Sequence, residues 1–373
     1  MANLFLVHTP FQLFVAQQII NQENCRENIL VYGYMNGCYK FVEIYRLMMV
    51  PEYWSKSICI KNINNWADIS HKHLLSDSIR TYKTYKQLWA IIENNNVKDI
   101  FLGDLNNYSV KFLAKLMNRK NVRVNIFEEG TNHYRSCKTN RKGCFLLNSF
   151  FALTWNCVYF IPFFRMKYGN YCFLKDDKIE NSRINCRYSI IPFYKEIFDK
   201  VLKPQKIFSP ALKEYIEGQI SLIDNDSVLF LTQPVYELLH IDSDLYIETI
   251  RLFFHQANHN QVVVVKFHPR ESLKDKHSIE NILQDEGYRY IVIGGHYNIP
   301  IEYYLQFVSF KSVICLISST MWYNGYIFPK TLFISIIDLF KDLCAQNRID
   351  TTPLQSFFVV RDEMATLGDR SFH

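Results

Sequence analysis

The chain has 373 residues, of which 49% are hydrophobic and 21% are charged. This length suits two domains of ordinary size, and the apolar content supports a large core, so the composition excludes an intrinsically disordered chain. The formal net charge of +6 is spread along the sequence, which argues against a nucleic-acid-binding protein. A phosphate-bearing small ligand, an anionic membrane face and an ordinary soluble protein all fit this modest basic excess.

Ten cysteines occur in the sequence, without a C-x-x-C pair and without an accompanying cluster of histidines. We therefore expect no structural zinc site, and we expect reduced thiols in a reducing compartment. The chain opens directly with an apolar strand and has no basic leading segment. No signal peptide is predicted, and the expected location is the cytoplasm.

The first half of the chain alternates between short apolar segments and amphipathic segments. Pro10 begins a predicted helix with one apolar face. Further helices are predicted at 83–93 and 109–117, and strands at 4–7, 28–32, 99–102 and 122–127. Strands that are separated by helices indicate a parallel sheet covered on both faces.

Between about 140 and 210 the alternation of strands and helices is interrupted by an irregular aromatic insert and linker. The alternation resumes in the second half of the chain. In the second half, strands are predicted at 228–231, 262–267, 290–293, 313–317 and 331–334, and helices at 245–254, 279–284, from 301 and past 322. We predict an α/β protein with two doubly wound, Rossmann-like domains that face each other across a cleft. The predicted bounds are 1–210 for the first domain, 211–345 for the second and 346–373 for a C-terminal tail.

Two adjacent acids follow the last predicted strand of the first half, in the sequence FEEGT at 127–131. Neighbouring side chains on extended backbone point to opposite sides, so only one of Glu128 and Glu129 can face a cleft and act as a general base. An acidic helix cap or surface turn is the alternative, and this motif alone favours that alternative.

The next candidate ends a run of four valines, where KFHPR occupies 266–270. His268 lies between Lys266 and Arg270 and is fixed by Pro269, so the loop suits an anion. The imidazole could hydrogen-bond or protonate a leaving phosphate. A histidine that caps a neighbouring helix explains the pattern equally well.

Hydroxyl side chains follow the fourth strand of the second half and precede a helix. Ser318, Ser319 and Thr320 would place hydroxyls and helix amides around one point, which suits a phosphate, although a plain N-cap is the commoner outcome. Two weaker candidates are Gln233, after the first strand of this half, and Glu302, at the start of a helix. Such a carboxylate can take ribose hydroxyls or complement the helix dipole.

Together these motifs resemble bacterial sialyltransferases of the GT-B type, namely the lipooligosaccharide sialyltransferases of glycosyltransferase family 52 and the capsule polysialyltransferases. EEGT at 128–131 and KFHPR at 266–270 look like signatures of both branches, and SST at 318–320 is closer to the polysialyltransferases. HTPFQ at 8–12 and IEYYL at 301–305 are closer to the lipooligosaccharide branch. Each motif is short, so the specificity lies in the set, whose order and spacing agree over most of the chain.

The resemblance implies an inverting, metal-independent transfer of sialic acid from CMP-sialic acid to a bacterial surface glycan. The product it implies first is an α-2,3 link to a terminal galactose of lipooligosaccharide. Glu129 would take the proton of the acceptor hydroxyl, and His268 would stabilise or protonate the departing CMP phosphate. Ser318, Ser319 and Thr320 would hold that phosphate.

The same resemblance implies the remaining contacts of the two substrates. Glu302 would hold the ribose, and the donor site would also include Gln233, Lys266 and Pro269. Thr9 and Gln12 would lie on the acceptor side. Neither a cofactor nor a metal is implied.

One departure from the family pattern leaves alternatives open. In the lipooligosaccharide branch an acid tends to follow the proline after the first strand of the second half, but Val235 stands at that place here. Glu237 is the nearest acid, so Glu237 and Glu128 are rival bases to Glu129. The mixed branch signals leave α-2,8 transfer in capsule synthesis as an alternative, and a sugar-nucleotide epimerase or hydrolase of the same fold is a second.

The segment at 144–164 is uncharged and long enough to span a bilayer, but it contains polar residues and Pro162. Domain core or the surface of a homodimer is the favoured interpretation. Peripheral contact with the inner membrane, where a lipid-linked acceptor lies, is the alternative.

Overall fold

The computed structural model of the protein describes residues 2–34, 40–61, 74–103, 116, 121–128, 184–190, 199–257, 260–295, 297–318, 320–323 and 331–354. The chain divides into two compact units, Met1–Ser209 and Pro210–His373, so the division falls one residue from the predicted boundary. Each unit has its own sheet, and every strand pairing in both sheets is parallel.

The first domain contains a seven-stranded sheet. Its strands are β1 (Ala2–Val7), β2 (Asn28–Tyr34), β3 (Lys56–Lys61), β4 (Val97–Leu102), β5 (Arg123–Phe127), β6 (Ile184–Ser189) and β7 (Lys200–Val201). Its described helices are α1 (Pro10–Glu23), α2 (Lys40–Met48) and α3 (Leu74–Asn94). The strand order β3-β2-β1-β4-β5-β6-β7 extends the order of a Rossmann fold by one strand.

Helix α1 shows how the sequence sets these elements. Thr9 is its N-cap, and the Thr9 hydroxyl accepts a hydrogen bond of 3.2 Å from the backbone N–H of Gln12, while Pro10 occupies the first turn. The helix ends at Asn24, which adopts the left-handed conformation with φ 51°. The central strands are apolar on both faces, and side chains such as Leu4 and Ile100 are fully buried in the domain core.

The sheet continues into the region predicted as an irregular insert, which is a correction to that prediction. Strands β6 and β7 lie between 140 and 210, and β6 pairs with β5. The sequence of β6 is not a continuous apolar run, because Arg187 occupies one of its buried positions. Arg187 is tolerated there because it pairs with Asp199 at 3.8 Å. The helix predicted at 109–117 and the segment at 144–164 lie outside the described residues, apart from a helical Leu116.

The second domain contains a five-stranded sheet. Its strands are β8 (Val228–Leu231), β9 (Val263–Lys266), β10 (Tyr290–Ile293), β11 (Ser312–Cys315) and β12 (Leu332–Ser335). Its described helices are α4 (Pro210–Ile220), α5 (Tyr236–Leu239), α6 (Asp244–Gln256), α7 (Leu273–Asp285), α8 (Ile301–Tyr304), α9 (Thr320–Tyr323) and α10 (Ile337–Gln346). The strand order β10-β9-β8-β11-β12 is again that of a Rossmann fold.

One detail of the second domain differs from expectation. Leu354, in the segment predicted as a C-terminal tail, is fully buried in the core of this domain. The prediction of two Rossmann-like α/β domains is confirmed by the two sheets.

The strand order of the second domain fixes where its ligand-binding edge lies. The chain passes from β8 outward to β10 and then returns to the other side of β8 at β11. In open α/β sheets, ligands bind beyond the carboxyl ends of the strands at this switch point. The loops that follow β8, β9 and β11 therefore carry the candidate site.

Candidate functional site

His268 belongs to the loop that follows β9, and its backbone and ring are both held. Its backbone N–H donates to the Thr232 hydroxyl at 2.9 Å, and its ring Nδ1 accepts from the backbone N–H of Arg270 at 3.2 Å. Because Nδ1 is an acceptor, the neutral ring carries its proton on Nε2. The imidazole therefore has one N–H donor that the loop itself does not use.

The charge state of His268 follows from its surroundings. Burial first, and then the cations Arg270 and Lys266, lower the pKa of the imidazole to about 4. The ring is thus neutral at neutral pH and acts as a hydrogen-bond donor rather than as a ready acid. An anion at Nε2 would raise the pKa, because it favours the charged ring.

Lys266, Glu302 and Thr320, which come from three separate segments of the chain, lie together. The buried Lys266 ammonium donates to the Asn298 side chain at 2.8 Å. Burial lowers the pKa of Lys266 to about 8, and the nearby Glu302 opposes that shift. Burial also raises the pKa of Glu302, whose carboxylate accepts from the Thr320 hydroxyl at 3.3 Å. Three predicted donor-site residues therefore form one buried polar group.

The hydroxyl loop after β11 is described at two of its three predicted positions. The Ser318 hydroxyl accepts from the backbone N–H of Thr320 at 3.2 Å, which forms a local turn before α9. Ser319 lies outside the described residues, so its contact with a phosphate stays a prediction.

The loop after β8 holds Gln233 at the switch point. Its backbone N–H donates to the Tyr246 hydroxyl at 3.2 Å, and its side-chain oxygen is buried without a hydrogen-bond partner in the structure. Glu237, proposed as a rival base, forms an ion pair of 3.1 Å with Arg270. Pro269, beside them, is exposed. Gln233 therefore keeps a polar atom available to a ligand, whereas the carboxylate of Glu237 has a partner.

Motif search missed the residues that support these loops. Thr232 accepts from the His268 backbone and donates its own proton to the Glu271 carboxylate at 2.8 Å. Burial raises the pKa of Glu271 to about 7, although hydrogen bonds from Thr232 and Tyr246 oppose this. The available signal was an acid directly after KFHPR, but an acid one residue before Ser272, the N-cap of α7, is an ordinary feature of a helix start.

In the first domain, the two adjacent acids differ in what the structure describes. The Glu128 side chain is fully buried, and its carboxylate accepts from the Ser189 hydroxyl at 2.6 Å and from the backbone N–H of Ile190 at 2.9 Å. Glu128 therefore joins the ends of β5 and β6. Glu129 lies outside the described residues, so its role as base and its pairing with His268 stay predictions.

The predicted acceptor residues Thr9 and Gln12 both lie at the start of α1, at the switch point of the first sheet. The Gln12 side chain is fully buried and accepts from the backbone N–H of His8 at 2.6 Å. A Cβ on Gly103 would lie 2.4 Å from the Gln12 side chain, so Gln12 packs directly against the end of β4. These contacts support the helix start, and contact with an acceptor stays a prediction.

Three further properties concern the part of the chain that the structure describes. In that part, no three His, Cys, Asp or Glu side chains are placed to hold a metal ion, and no helix is long and apolar enough to cross a membrane. The cysteines described there are all free thiols, namely Cys25, Cys59, Cys186, Cys315 and Cys344.

Two Rossmann-like domains are the domain set of GT-B glycosyltransferases, and the candidate site lies where Rossmann-like domains bind nucleotides. The profile of the alpha-2,8-polysialyltransferase (POLYST) family matches residues 3–336. The chain belongs to this family, and it is therefore a glycosyltransferase that transfers sialic acid. A search of curated proteins found no match.

Several solved structures are similar in backbone at low sequence identity. A UDP-GlcNAc 2-epimerase from Methanocaldococcus jannaschii, in complex with UDP-GlcNAc and UDP, has a TM-score of 0.48 and 12% identity, covering 90% of this chain and 83% of its own. A putative UDP-N-acetylglucosamine 2-epimerase from Listeria monocytogenes has a TM-score of 0.46 and 11% identity, with 90% and 78% covered. The wall teichoic acid polymerase TagF has a TM-score of 0.38 and 10% identity, with 98% and 84% covered. These TM-scores are too low to carry an argument about this chain.

Proposed function

We propose that this glycosyltransferase transfers sialic acid from CMP-sialic acid to a sialic acid at the end of a bacterial surface glycan, with an α-2,8 linkage. Membership of the alpha-2,8-polysialyltransferase family favours this product. The observation that carries the proposal is the loop after β9, in which a neutral His268 keeps its Nε2 proton for a ligand next to the Lys266 ammonium. A phosphate is the ligand that such a pair of donors suits.

The donor site is assigned to the carboxyl edge of the second sheet. The Nε2–H of His268 would donate to a non-bridging oxygen of the CMP phosphate, and Gln233 would offer its free side-chain oxygen to the nucleotide. Ser318 and Ser319 would hold the phosphate from the loop after β11. Glu302 can take a ribose hydroxyl only if its carboxylate turns from Thr320, so this part of the proposal requires a local rearrangement.

The reaction balances without a metal. The acceptor hydroxyl oxygen bonds to the anomeric carbon, the bond from that carbon to the phosphate oxygen breaks, and CMP leaves with the bonding electrons. A carboxylate takes the acceptor proton, and we assign this role to Glu129, since the Glu128 carboxylate already binds Ser189 and Ile190. The transition state resembles an oxocarbenium ion, so a held phosphate and a nearby carboxylate both stabilise it.

An α-2,3-linked product is the second candidate, and two other sequence motifs favour it. HTPFQ at 8–12 and IEYYL at 301–305 are closer to the lipooligosaccharide branch, which favours α-2,3 transfer to a terminal galactose. Association with the inner membrane, formation of a homodimer and a cytoplasmic location in bacteria remain parts of the proposal.

The test is a donor and acceptor screen with the full chain. CMP-sialic acid is offered with an oligosialic acid or with lactose, and the linkage of the product is determined by NMR. We expect an elongated α-2,8 oligomer. A sialyl-lactose product instead would favour the α-2,3 alternative, and release of CMP without a product would favour a hydrolase.

Variants then test the assigned residues. His268→Ala is expected to lower kcat/KM at least about a hundredfold, because the leaving phosphate loses its donor. His277→Ala is the matched control, since its ring bonds only a carbonyl of its own helix in an exposed position. If a UDP-sugar alone protects the fold against heat and CMP does not, the proposal is wrong.

A further inference from the structure

Two neighbouring hydroxyls in the second domain, those of Thr232 and Tyr246, each accept from a loop backbone N–H and lie beside the carboxylate of Glu271. In the first of these two relays, the backbone N–H of His268 donates to the Thr232 hydroxyl at 2.9 Å, and Thr232 donates to Glu271 at 2.8 Å. Thr232 and Glu271 are both buried. Thr232 directly follows β8, whereas His268 and Glu271 follow β9, so the Thr232 hydroxyl ties the two loops together.

The second relay starts in the loop after β8. The backbone N–H of Gln233 donates to the Tyr246 hydroxyl at 3.2 Å, and this hydroxyl lies close enough to Glu271 for the carboxylate to raise the pKa of Tyr246. Among the described residues, the Glu271 Oε1 atom is buried without a partner, so it is the acceptor left for the Tyr246 hydroxyl. Tyr246 projects from α6 and is fully buried. Glu271 is therefore the common end of two loops that both lie at the ligand-binding edge of the sheet.

The direction of these bonds requires an acceptor at the common end. A hydroxyl that accepts from a backbone N–H still has its single proton to donate, so Thr232 and Tyr246 both need an acceptor. An ionised carboxylate has only acceptor sites, so it accepts from Thr232 at one oxygen and offers the other to Tyr246. A protonated acid or an amide brings donors of its own and leaves one relay without a proper partner.

We propose that Glu271 is a positioning residue that holds the loops after β8 and β9 in the arrangement that receives the phosphate of the nucleotide donor. This role rests on the proposed function as far as the ligand is concerned, while the tie between the two loops does not depend on it. Glu271 itself need not touch the substrate.

The charge of Glu271 makes this role dependent on pH. Burial raises the pKa of Glu271 to about 7, Asp275 adds to that shift, and Lys276 opposes it. Tyr236 and Tyr246, two further ionisable neighbours, are neutral in this range because burial raises the pKa of both hydroxyls. As the pH falls through about 7, Glu271 gains a proton, and one relay loses its acceptor.

As the pH falls, the loops after β8 and β9 should become less ordered while the free energy of unfolding of the whole domain increases. The pKa of Glu271 is higher in the folded chain than the ordinary value of 4.5, so the folded state binds the proton more tightly. This group therefore adds stability to the fold as the pH falls from about 7 to about 4.5. A residue with a merely structural role would not loosen two loops while the fold becomes more stable.

Hydrogen exchange measured by mass spectrometry on the full chain tests the tie between the loops. At about pH 8, Glu271→Gln should speed exchange about tenfold in peptides covering 232–236 or 266–271, with thermal stability equal to wild type or higher. The control Glu248→Gln, which removes an exposed carboxylate on α6, should change neither peptide. Wild type at about pH 6, corrected for intrinsic exchange, should move toward the Glu271→Gln pattern.

Single-relay variants make the test specific. Thr232→Val should speed exchange only around His268, and Tyr246→Phe only around Gln233. If Glu271→Gln does not fold, these two variants and the wild-type pH series decide the outcome. Unchanged exchange in the variants and across pH overturns the proposal.

Binding of CMP by calorimetry separates this proposal from the proposed function. With a wild type that binds CMP, Glu271→Gln should weaken binding about tenfold, and unchanged affinity would contradict the positioning role. A wild type that does not bind CMP overturns the proposed donor, while the exchange data still decide whether Glu271 holds the two loops.

Discussion

At the scale of single residues, His268 combines its proposed place at the leaving phosphate with an unusual charge state. Burial and the cations beside it lower the pKa of the imidazole to about 4, well under its ordinary value of 6.5. The unfolded chain therefore binds this proton more tightly than the folded chain does. The stability that neutral His268 contributes is complete above about pH 6.5 and is lost as the pH falls toward about 4.

We therefore predict that wild type loses stability across this window and that His268→Gln loses about 2 kcal/mol less of it. Urea unfolding at about pH 7 and about pH 4.5 measures the difference, with His277→Ala as the control. Equal losses in wild type and His268→Gln would mean that the imidazole is not shielded as the structure indicates.

The Lys266–Glu302 pair gives a second prediction at this scale. Both side chains are buried, and the pKa shifts of both arise first from burial. Lys266→Met should destabilise the second domain by about 3–5 kcal/mol, because it leaves a buried carboxylate without its cation. Adding Glu302→Gln should restore most of this loss, which unfolding of the single and double variants would show. Strictly additive losses would contradict a coupled pair.

Sequence alone could single out His268, Lys266 and Glu302 as candidates, because each lies in a short motif at a strand end or helix start. It could not identify Glu271 and Thr232 as partners, because their hydrogen bond joins residues 39 positions apart in the sequence. The sequence shows which groups can donate or accept. Only the fold shows which of them meet.

At the scale of elements, apolar strands were predictable and polar ones were not. β8 and β10 have the predicted bounds, since each is a run of apolar residues between polar turns. β6, with the sequence INCRYS, was missed because a buried arginine and an exposed asparagine break the apolar pattern. The partners that make such residues tolerable, such as Asp199 for Arg187, are visible only in the structure.

The junction of β5 and β6 yields a prediction at this scale. Glu128 accepts from the Ser189 hydroxyl and the Ile190 backbone in a fully buried position. Glu128→Ala should destabilise the first domain by about 2–4 kcal/mol, since two buried donors lose this acceptor, and Glu128→Gln should cost less. Thermal unfolding measures both. If Glu128→Ala keeps wild-type stability but loses transfer activity, Glu128 acts in the chemistry and the assignment of Glu129 as base must be revised.

At the scale of the whole molecule, the domain division was predictable because it follows the alternation of strands and helices. Two Rossmann-like sheets need two cores, and the structure has one in each unit. The C-terminal extent of the second domain was less predictable, because Leu354, in the segment predicted as a tail, is buried in the core of this domain. At the other end, the domain starts with α4 at Pro210, well before its first strand at Val228.

Helix α4 belongs to the second domain for reasons that lie outside its own sequence. Leu212 and Ile216 are buried, and the Gln219 side chain accepts from the backbone N–H of Gly294 at 3.0 Å and from the Tyr304 hydroxyl at 2.7 Å. Gly294 has a φ of 84°, so the turn after β10 needs this residue type and is held in place by Gln219. The helix thus fixes the loop that carries Asn298, the partner of Lys266.

We therefore predict that residues 210–373 fold alone and bind CMP, because the core, the Lys266–Asn298 bond and the His268 loop all belong to this unit. Residues 221–373, which lack α4, should unfold at a lower temperature by about 10 °C or more and bind CMP at least about tenfold more weakly, because Gly294 and Tyr304 lose their shared acceptor. Circular dichroism melting and calorimetry on both fragments provide the comparison, and Gln219→Ala in the longer fragment tests the bond itself. A shorter fragment that matches the longer one in both measurements would show that the donor loops are organised by the sheet alone.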